Sequence, residues 1–595
     1  MLEINNNNDD YIGRLKPLTF LAVLVIAILI VRVGYLQIYD GEYYARLADG
    51  NRIRVIPSVA PRGTFFDRNG QLLVTNRPGF AVSLLPLSEP NQVVIEKVSK
   101  LLNIPVEEIQ KKIDAHVGFD PIRIKTDITP DVVTIIEEQK NEYPGVVIEV
   151  QPIRNYILMQ EGAHTFGYVS EISDEELERK KEEGYRSGDM IGKFGLEKVY
   201  DKEIRGENGG EQVEVDVAGK PVQILGKKEP RPGYDLILTI DKDLQTAAEQ
   251  AVDSMLAQIH ANAAAAVVLN PQNGEVLAMV SRPAFDPNLF AHGISEKDWN
   301  AINTNPYHPM DNKTITGEYP PGSTFKIVTG TAALAAGKVT PEEKIFDSGT
   351  HWLIPKGNAG GEALGWLNFR AAMAHSDNVY FYEMGNRLGV DLLGHYAKMF
   401  GLGEVTGIDL PYESPGLVAS KEYKMKVYEE EWYISETFDA AIGQGFNLVT
   451  PLQAAMVMGE IAANGQRFKP HLVKKIVTQD GELVREIQPE LSGTLEIDPS
   501  IIHLVQDGLH EVTKSGTAAR NFGGFPYEVA GKTGTAENPQ GKDHGWFVGY
   551  GTFDNPTVCV AVIVENGGYG ATSAVPIGRK ILEAAFAIEE QRGKF

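Results

Sequence analysis

An apolar run near the N-terminus is the feature of this sequence that most constrains its fold. Residues 18–31 are almost all apolar, and the apolar character continues through Arg32 to residue 38. A helix over residues 17–38 can cross a hydrocarbon core about 30 Å thick at about 1.5 Å per residue. Arg32 lies near the far end, where its long side chain can reach the interface. The segment therefore predicts a transmembrane helix over residues 17–38.

The alternatives are a cleaved signal peptide and a helix buried in a protein core. No small-x-small cleavage site follows the run, which argues against a signal peptide. Arg14 and Lys16 precede the run, and the positive-inside rule then predicts a cytoplasmic N-terminus, although Asp9 and Asp10 dilute the signal. The sequence thus predicts a cytoplasmic tail over residues 1–16, a single crossing, and everything after about residue 39 on the periplasmic side.

Length and charge limit the classes of protein that fit. A chain of 595 residues suggests two to four domains. A net charge of −24 argues against nucleic acid as a partner, because such a surface would not neutralise phosphates. Cys559 is the only cysteine, which excludes an intrachain disulfide, and its apolar neighbours predict a buried position.

Ser323 and Lys326 form the first motif that can carry chemistry. A serine hydroxyl attacks a carbonyl only if a neighbour takes its proton, and a spacing of three residues on a helix brings a base close. Pro320 and Gly322 precede the serine, and an apolar run follows the lysine, which predicts a helix beginning here. Alone, such a tetrapeptide is common on helix surfaces and is weak evidence of catalysis.

Two further motifs strengthen this interpretation. Ser376-Asp377-Asn378 follows the first motif, and Lys532-Thr533-Gly534-Thr535 follows the second. Each could be an ordinary polar cluster or turn. Together and in this order they are typical of serine penicillin-recognising enzymes.

Longer segments around the motifs carry a family resemblance. They are Tyr-Pro-Pro-Gly-Ser-Thr-Phe-Lys at 319–326, Ala-Ile-Gly-Gln-Gly at 441–445 leading to Thr-Pro-Leu-Gln at 450–453, and Gly-Lys-Thr-Gly-Thr-Ala-Glu at 531–537. With these segments the chain resembles the class B penicillin-binding proteins. Segments 61–70 and 195–206 are similar to the penicillin-binding protein 2 branch. The resemblance covers nearly the whole chain beyond the first few dozen residues.

The resemblance implies an α+β fold with an elongated α/β pedestal, the dimerisation-type domain, over residues 39–235 and a transpeptidase domain over residues 236–595. The latter would be an antiparallel sheet covered by helices. The residue patterns agree with it and predict helices over 241–260 and 574–591, and strands over 263–269, 275–281, 527–535, 544–553 and 557–565.

The predicted pedestal contains no internal repeat and no catalytic constellation. Its patterns predict a helix from Thr129-Pro130 to residue 139, a strand over 146–150 and a solvated helix over 171–183. Its charged residues could bind a partner or form structural ion pairs, and the second interpretation is favoured. These residues are Arg62, Asp67, Arg68, Glu197 and Arg205.

The family implies a role for each motif residue. Ser323 would attack the carbonyl of a D-Ala–D-Ala bond and form an acyl-enzyme, with Lys326 as its base in the neutral form. Ser376 would relay a proton to the departing amine, and Asn378 would orient Lys326, while Asp377 would point away. The remaining expected groups are Lys532, a cation that also binds the substrate carboxylate with Thr533, Gly534 and Thr535, and an oxyanion hole from the backbone N–H groups of Ser323 and Thr535.

The same chemistry serves several functions, and three classes stay open. A peptidoglycan D,D-transpeptidase passes the acyl group to an amine, a β-lactamase passes it to water, and a β-lactam sensor keeps it. Rapid hydrolysis needs a glutamate that activates water. Segment 407–416 resembles the transpeptidase pattern instead of a hydrolytic loop. A transpeptidase is therefore the preferred prediction. The resemblance of segments 195–201 and 542–550 to the penicillin-binding protein 2 branch favours the elongation enzyme, with a septal transpeptidase as the alternative.

Partners and cofactors follow from this interpretation. The expected ligands are peptidoglycan stem peptides, on lipid-linked or nascent glycan, and β-lactam antibiotics. No glycosyltransferase module is recognised, so we expect a partner from the shape, elongation, division and sporulation (SEDS) family of glycosyltransferases in the membrane. No cofactor or metal is expected, because His351, His375 and His544 are scattered.

Overall fold

The computed structural model describes residues 8–39, 53–85, 92–115, 121–215, 221–539 and 541–593. The chain forms two compact units. The first comprises Met1–Ala60, Phe80–Gln151 and Glu207–Arg231, and the second comprises Pro61–Gly79, Pro152–Gly206 and Pro232–Phe595. Segments 61–79 and 152–206 of the predicted pedestal thus belong to the second unit. Residues 1–7 of the predicted tail and 40–52 of the pedestal lie outside the described residues, and the predicted domain limits stay predictions.

The N-terminal helix Asn8–Gly34 continues into a short π-helical turn, Tyr35–Tyr39. Its segment Pro17–Tyr39 is long and apolar enough to span a membrane, and none of its most apolar stretch is buried. The large apolar side chains from Leu18 to Val33 are exposed. A helix in a protein core would bury them, so this exposure argues against the core-helix alternative.

The first unit contains a three-stranded antiparallel sheet and a separate apolar core. The sheet pairs Ile53–Ser58 with Gly209–Val215, which pairs with Pro221–Lys228. In the core, helix Gln92–Leu102 buries Val94, Ile95, Val98 and Leu102, the spacing of one helix face. The other elements of this unit are helices Val106–Ala115, Pro130–Glu138 and Lys140–Glu142 (3₁₀), strand Ile122–Lys125, residues 80–84 of strand Leu72–Leu84 and residues 146–151 of strand Val146–Tyr156.

The second unit is built on a five-stranded antiparallel sheet. Its order is Val276–Arg282, Ala264–Leu269, Val558–Val564, His544–Gly551 and Val529–Ala536. Every residue of Ala264–Leu269 and of Val558–Val564 is buried, because helices cover both faces of the sheet. The predicted α+β fold, a helix-covered antiparallel sheet, is confirmed.

Side chains along each strand alternate between the two faces of the sheet, and a different helix covers each face. A Cβ on Gly578 of helix Gly570–Gln591 would lie 2.3 Å from the Phe547 ring, so this helix covers the Phe547 face. On the opposite face the Cys559 thiol lies 3.3 Å from the Ala455 carbonyl oxygen of helix Pro451–Ala462. The predicted burial of Cys559 is confirmed.

The predicted elements of this unit are present, with ends that differ by a few residues. The first helix spans Lys242–Ile259, where the Asp241 carboxylate accepts from the Leu244 N–H and His260 ends the helix in a left-handed conformation. The further helices are Ala163–Phe166, Asp174–Lys180, Lys181–Glu183 (3₁₀), Gly195–Val199, Asp201–Ile204, Asn288–Ala291, Glu296–Asn303, Gly322–Phe325 (3₁₀), Lys326–Ala335, Phe369–His375, Asn378–Met399, Lys421–Tyr428, Ile434–Ala441, Pro499–Lys514 and Ala519–Phe522.

Further strand pairs complete the second unit. Strand Asp235–Leu238 pairs with Phe65–Phe66 and with Val473–Val477, which pairs with Leu483–Glu486. The two-stranded pairs are Val169–Glu171 with Met190–Gly192, Ile345–Asp347 with Gly365–Leu367, and Gln466–Phe468 with Leu491–Thr494.

The charged residues of segments 61–79 and 152–206 form a buried network. Arg62 contacts Glu197 at 2.7 Å and Asp201 at 2.9 Å, and Arg154 contacts Glu197 at 2.6 Å. Glu197 is fully buried. The structural interpretation is confirmed for Arg62 and Glu197. It is also confirmed for Arg68, which pairs with Glu275. Asp67 and Arg205 instead bind backbone groups: Asp67 accepts from the N–H groups of Asn69 and Gln71, and Arg205 donates to the Glu183 carbonyl oxygen.

Candidate active site

Ser323 lies in a 3₁₀ turn, Gly322–Phe325, that runs directly into helix Lys326–Ala335. Gly322 has a φ of +54°, and a Cβ there would lie 2.6 Å from the Thr535 carbonyl oxygen. Only glycine therefore allows the turn to approach the strand that carries the third motif. The Gly322 N–H donates to the Gly443 carbonyl at 2.9 Å, which fixes the turn from its other side.

The second motif joins two helices. Ser376 has a left-handed conformation, φ 56° and ψ 40°, at the end of helix Phe369–His375. Asp377 caps the next helix, Asn378–Met399, by accepting from the Tyr380 N–H at 2.5 Å. The Asp377 side chain is thus used by the helix cap, whereas Ser376 and Asn378 on either side of it face Lys326.

The third motif lies on Val529–Ala536, the edge strand of the five-stranded sheet. A Cβ on Gly534 would lie 3.0 Å from Thr324 Cγ2 and 3.1 Å from the Pro321 carbonyl oxygen, so the glycine lets the serine turn pack against the strand. The Thr533 hydroxyl lies 2.7 Å from the Thr517 hydroxyl. The edge position leaves one side of this strand without a neighbouring strand.

The three motifs meet at Ser376. Lys326 Nζ donates to the Ser376 carbonyl oxygen at 2.7 Å and to Asn378 Oδ1 at 2.6 Å, and it lies 3.3 Å from Ser376 Oγ. Lys532 Nζ donates to the same Ser376 Oγ at 2.7 Å. The structure therefore brings together side chains from a central helix, a helix junction and an edge strand.

Burial sets the protonation of the two lysines. Both are fully buried. Burial lowers the pKa of Lys326 from 10.5 to about 7, although the Asp377 carboxyl opposes this change. Burial and the nearby charge of Lys326 together hold the pKa of Lys532 well below its usual value. Two ammonium groups around one hydroxyl repel each other, and a neutral amine is accessible near pH 7.

Ser323 itself is half-buried, and its hydroxyl makes no hydrogen bond to any residue that the structure describes. The sequence predicts that Lys326 takes its proton, yet the Lys326 amine is bound by Ser376 and Asn378. Catalytic hydrogen bonds often form only when substrate is bound, so the geometry is compatible with that role. The roles of the motif residues, including the oxyanion hole at Ser323 and Thr535, stay predictions.

Four residues at this site have no role in the sequence prediction. The Gln444 amide donates to the Thr535 carbonyl at 3.4 Å, and Thr517 contacts Thr533. The Phe381 ring centroid lies 5.4 Å from Lys326 Nζ, and Asn358 accepts from the Asn378 N–H at 2.7 Å. Gln444 lies between two glycines with φ of +75° and +69°. In the sequence, the Gly-Gln-Gly pattern is the only sign of this turn.

The histidines have structural contacts. His351 contacts Glu383 at 3.1 Å, and the His544 ring accepts from the Asn566 N–H at 3.1 Å. Among the described residues, no group of three or more His, Cys, Asp or Glu side chains could hold a metal ion.

Comparisons with known proteins show which family the chain resembles over most of its length. Residues 264–583 match the model of the penicillin binding protein transpeptidase domain, and residues 57–238 match that of the penicillin-binding protein dimerisation domain. The peptidoglycan D,D-transpeptidase MrdA of Acinetobacter baumannii is 34% identical over 96% of this chain and 87% of its own length.

Two solved structures are similar over most of the chain. One is PBP2 of Helicobacter pylori in a complex with MreC, with a TM-score of 0.78 and 26% identity over 90% of this chain and 100% of that one. The other comes from a peptidoglycan synthase complex, described in terms of its structural coordination of polymerization and crosslinking. It has a TM-score of 0.71 and 31% identity over 96% of this chain and 98% of that one.

Proposed function

Because the chain belongs to the penicillin-binding proteins, with both their transpeptidase and their dimerisation domains, we infer that it is a serine peptidoglycan D,D-transpeptidase. The main structural support is the convergence of Lys326 and Lys532 on Ser376 Oγ. The convergence lies beside the turn that presents Ser323.

Acylation begins with the neutral Lys326 amine. It takes the Ser323 proton as Ser323 Oγ bonds to the carbonyl carbon of the penultimate D-alanine. The lowered pKa of Lys326, about 7, makes this neutral form accessible without a large cost in free energy. Backbone N–H groups of Ser323 and Thr535 stabilise the oxyanion, and collapse of the tetrahedral adduct breaks the D-Ala–D-Ala amide bond.

Ser376 serves the leaving group. Its hydroxyl lies between the two lysine amines, so a proton can pass from Lys326 through Ser376 Oγ to the departing D-alanine amine. An acceptor amine of a second stem peptide then attacks the ester and restores the Ser323 hydroxyl. The product is a cross-link between two peptides.

Lys532, with Thr533, Gly534 and Thr535, binds the carboxylate of the substrate. In the free site the pKa of Lys532 is lowered by burial and by Lys326. A bound carboxylate favours the charged form of Lys532, and that charge in turn favours the neutral form of Lys326. Substrate binding thus favours a protonated Lys532 and a neutral Lys326.

The loop that would supply a hydrolytic glutamate favours transpeptidation over a β-lactamase. Glu413 accepts from the Thr406 N–H at 2.8 Å, from the Thr406 hydroxyl at 2.5 Å and from the Gly407 N–H at 3.0 Å. Its carboxylate is thus used within its own loop and is not free to activate water beside Ser323.

The role in the cell is elongation of the lateral wall. Support comes from the A. baumannii relative named MrdA and from the similar chain that was solved with MreC. The expected partner is a SEDS-family glycosyltransferase, in keeping with the similar chain from a synthase complex. Depletion in a rod-shaped host should give round cells. Filamentous cells with blocked septa would instead indicate the septal enzyme.

The apolar helix Pro17–Tyr39 serves as a single-pass anchor. The proposed topology places residues 1–16 in the cytoplasm and the transpeptidase domain outside the membrane. Protease added to intact spheroplasts should degrade the catalytic domain, and protection of that domain would contradict the topology.

Fluorescent penicillin tests the function in the purified full-length protein. A transpeptidase should be labelled covalently at one residue and should release the label slowly. Rapid release would indicate a β-lactamase, and absence of labelling would exclude both functions.

A further inference from the structure

A loop outside the three motifs holds the second motif in place. It covers residues 348–364, between strands Ile345–Asp347 and Gly365–Leu367. Two consecutive residues of this loop, Gly357 and Asn358, bind the side-chain amide and the backbone N–H of Asn378. The Asn378 N–H donates to Asn358 Oδ1 at 2.7 Å, and Asn378 Nδ2 donates to the Gly357 carbonyl oxygen at 3.1 Å.

The bond to Gly357 determines which way the Asn378 carboxamide faces. A carboxamide has one accepting and one donating end, and a carbonyl oxygen can only accept. Asn378 Nδ2 must therefore face Gly357, which directs Oδ1 towards Lys326 Nζ at 2.6 Å. A neutral Lys326 amine has two N–H groups, and the Ser376 carbonyl and Asn378 Oδ1 accept both. Its lone pair is thereby free to accept a proton from another direction.

Asn358 is itself fixed by carboxylates. Asn358 Nδ2 donates to Asp347 Oδ2 at 2.8 Å and to the Glu362 carbonyl oxygen at 2.9 Å, and lies 3.4 Å from Asp377 Oδ2. Asp347 is buried, and it also accepts from the N–H groups of Gly349 and Leu364, both at 2.7 Å. Because the carboxylates only accept, the donating end of Asn358 must face them and its oxygen must face Asn378.

Each element that packs against this network contributes a charged group. Asp347 comes from the hairpin, Asp377 from the helix junction, Lys326 from the serine helix and Lys532 from the edge strand. Burial and the adjacent Asp347 raise the pKa of Asp377 to about 6, although its bond from Tyr380 opposes this. Two residues of the loop itself contact carboxylates of neighbouring helices, Lys356 with Asp439 and His351 with Glu383.

We propose that Asn358 is a positioning residue for acylation. Its side chain is held by Asp347 and binds the Asn378 backbone N–H. The adjacent Gly357 carbonyl oxygen is thereby kept on Asn378 Nδ2, so that the Asn378 oxygen faces Lys326. The inference rests on the proposed function. Asn358 has no bond to Ser323, Lys326 or Lys532 among the described contacts, so it acts through Asn378 alone.

Acylation kinetics with fluorescent penicillin in the full-length protein test this role. In Asn358→Ala the acylation rate constant at saturating penicillin should fall at least tenfold, while the dissociation constant of the initial complex should stay within about twofold. The matched control is Asn368→Ala. Asn368 is also half-buried, and it caps helix Phe369–His375 by accepting from the Ala371 N–H at 3.1 Å, away from Asn378. This control should acylate at the wild-type rate, and thermal unfolding should show both variants folded.

A pH profile separates positioning from a general loss of structure. Asn358→Asp keeps the oxygen that accepts from Asn378 but adds a third carboxyl beside Asp347 and Asp377. Added negative charge favours protonated Lys326, so the acidic limb of the acylation rate should move to higher pH. A change that only loosened the fold would lower the rate without moving this limb.

The outcomes are distinguishable. If wild-type protein is not labelled, the proposed function is overturned, and this inference with it. If wild-type protein is labelled and Asn358→Ala acylates at the wild-type rate, only this inference is overturned. Equal losses in Asn358→Ala and Asn368→Ala, or an unmoved pH limb in Asn358→Asp, would also overturn it.

Discussion

Lys326 and Lys532 converge on a single oxygen, Ser376 Oγ, at 3.3 and 2.7 Å. Both amines are buried, and the pKa of each is lowered. The proposed mechanism gives the two lysines different tasks: Lys326 gives up its proton to act as a base, and Lys532 keeps a proton to bind an anion.

This division of tasks predicts different losses in two variants. Lys326→Ala should abolish acylation even by reactive β-lactams, because no base remains for Ser323. Lys532→Ala should mainly slow acylation by ligands that carry a carboxylate, and should lower kcat/KM for them by about tenfold to a thousandfold. A β-lactam without the carboxylate is the control. If Lys532→Ala loses as much with that ligand, Lys532 takes part in proton transfer as well.

The pKa of Lys326 predicts the pH dependence of acylation. Burial lowers this pKa to about 7, so the neutral base increases as the pH rises through about 7. Stopped-flow labelling should give a rate that falls about tenfold per pH unit on the acidic side and levels off on the alkaline side. A profile that is flat across pH 7 would mean that Lys326 is not the titrating base.

Buried charge predicts the stability of segments 61–79 and 152–206. Glu197→Ala should lower the free energy of unfolding by about 3–5 kcal/mol, because it leaves the buried guanidinium groups of Arg62 and Arg154 without their shared partner. Thermal and urea unfolding measure this loss. Glu178→Ala, on the exposed helix Asp174–Lys180, should have little effect and serves as the control.

The contacts of Glu413 predict slow release of the acyl group. Since its carboxylate is held by Thr406 and Gly407, Glu413→Gln should leave the rate of release of bound penicillin within about threefold of wild type. A tenfold or larger fall would identify Glu413 as a base for water and favour the β-lactamase alternative.

The sequence contains the local patterns of this structure but not all of its long-range arrangement. The strands around Lys532 and Cys559 are predictable because apolar runs and turn residues are local signals. The loop residue Asn358 could not be found in that way, because it lies in an irregular segment and its partners, Asp347 and Asn378, are defined only by folding. For the same reason, segments 61–79 and 152–206 could not be assigned to the second unit from sequence.

Mass spectrometry of the penicillin adduct tests whether Ser323 forms the acyl-enzyme. The full-length protein is reacted with penicillin, digested and analysed by mass spectrometry. We expect a single adduct on the peptide that contains Ser323, and no adduct in a folded Ser323→Ala variant. An adduct on another residue, or a Ser323→Ala protein that is acylated at the wild-type rate, would contradict it.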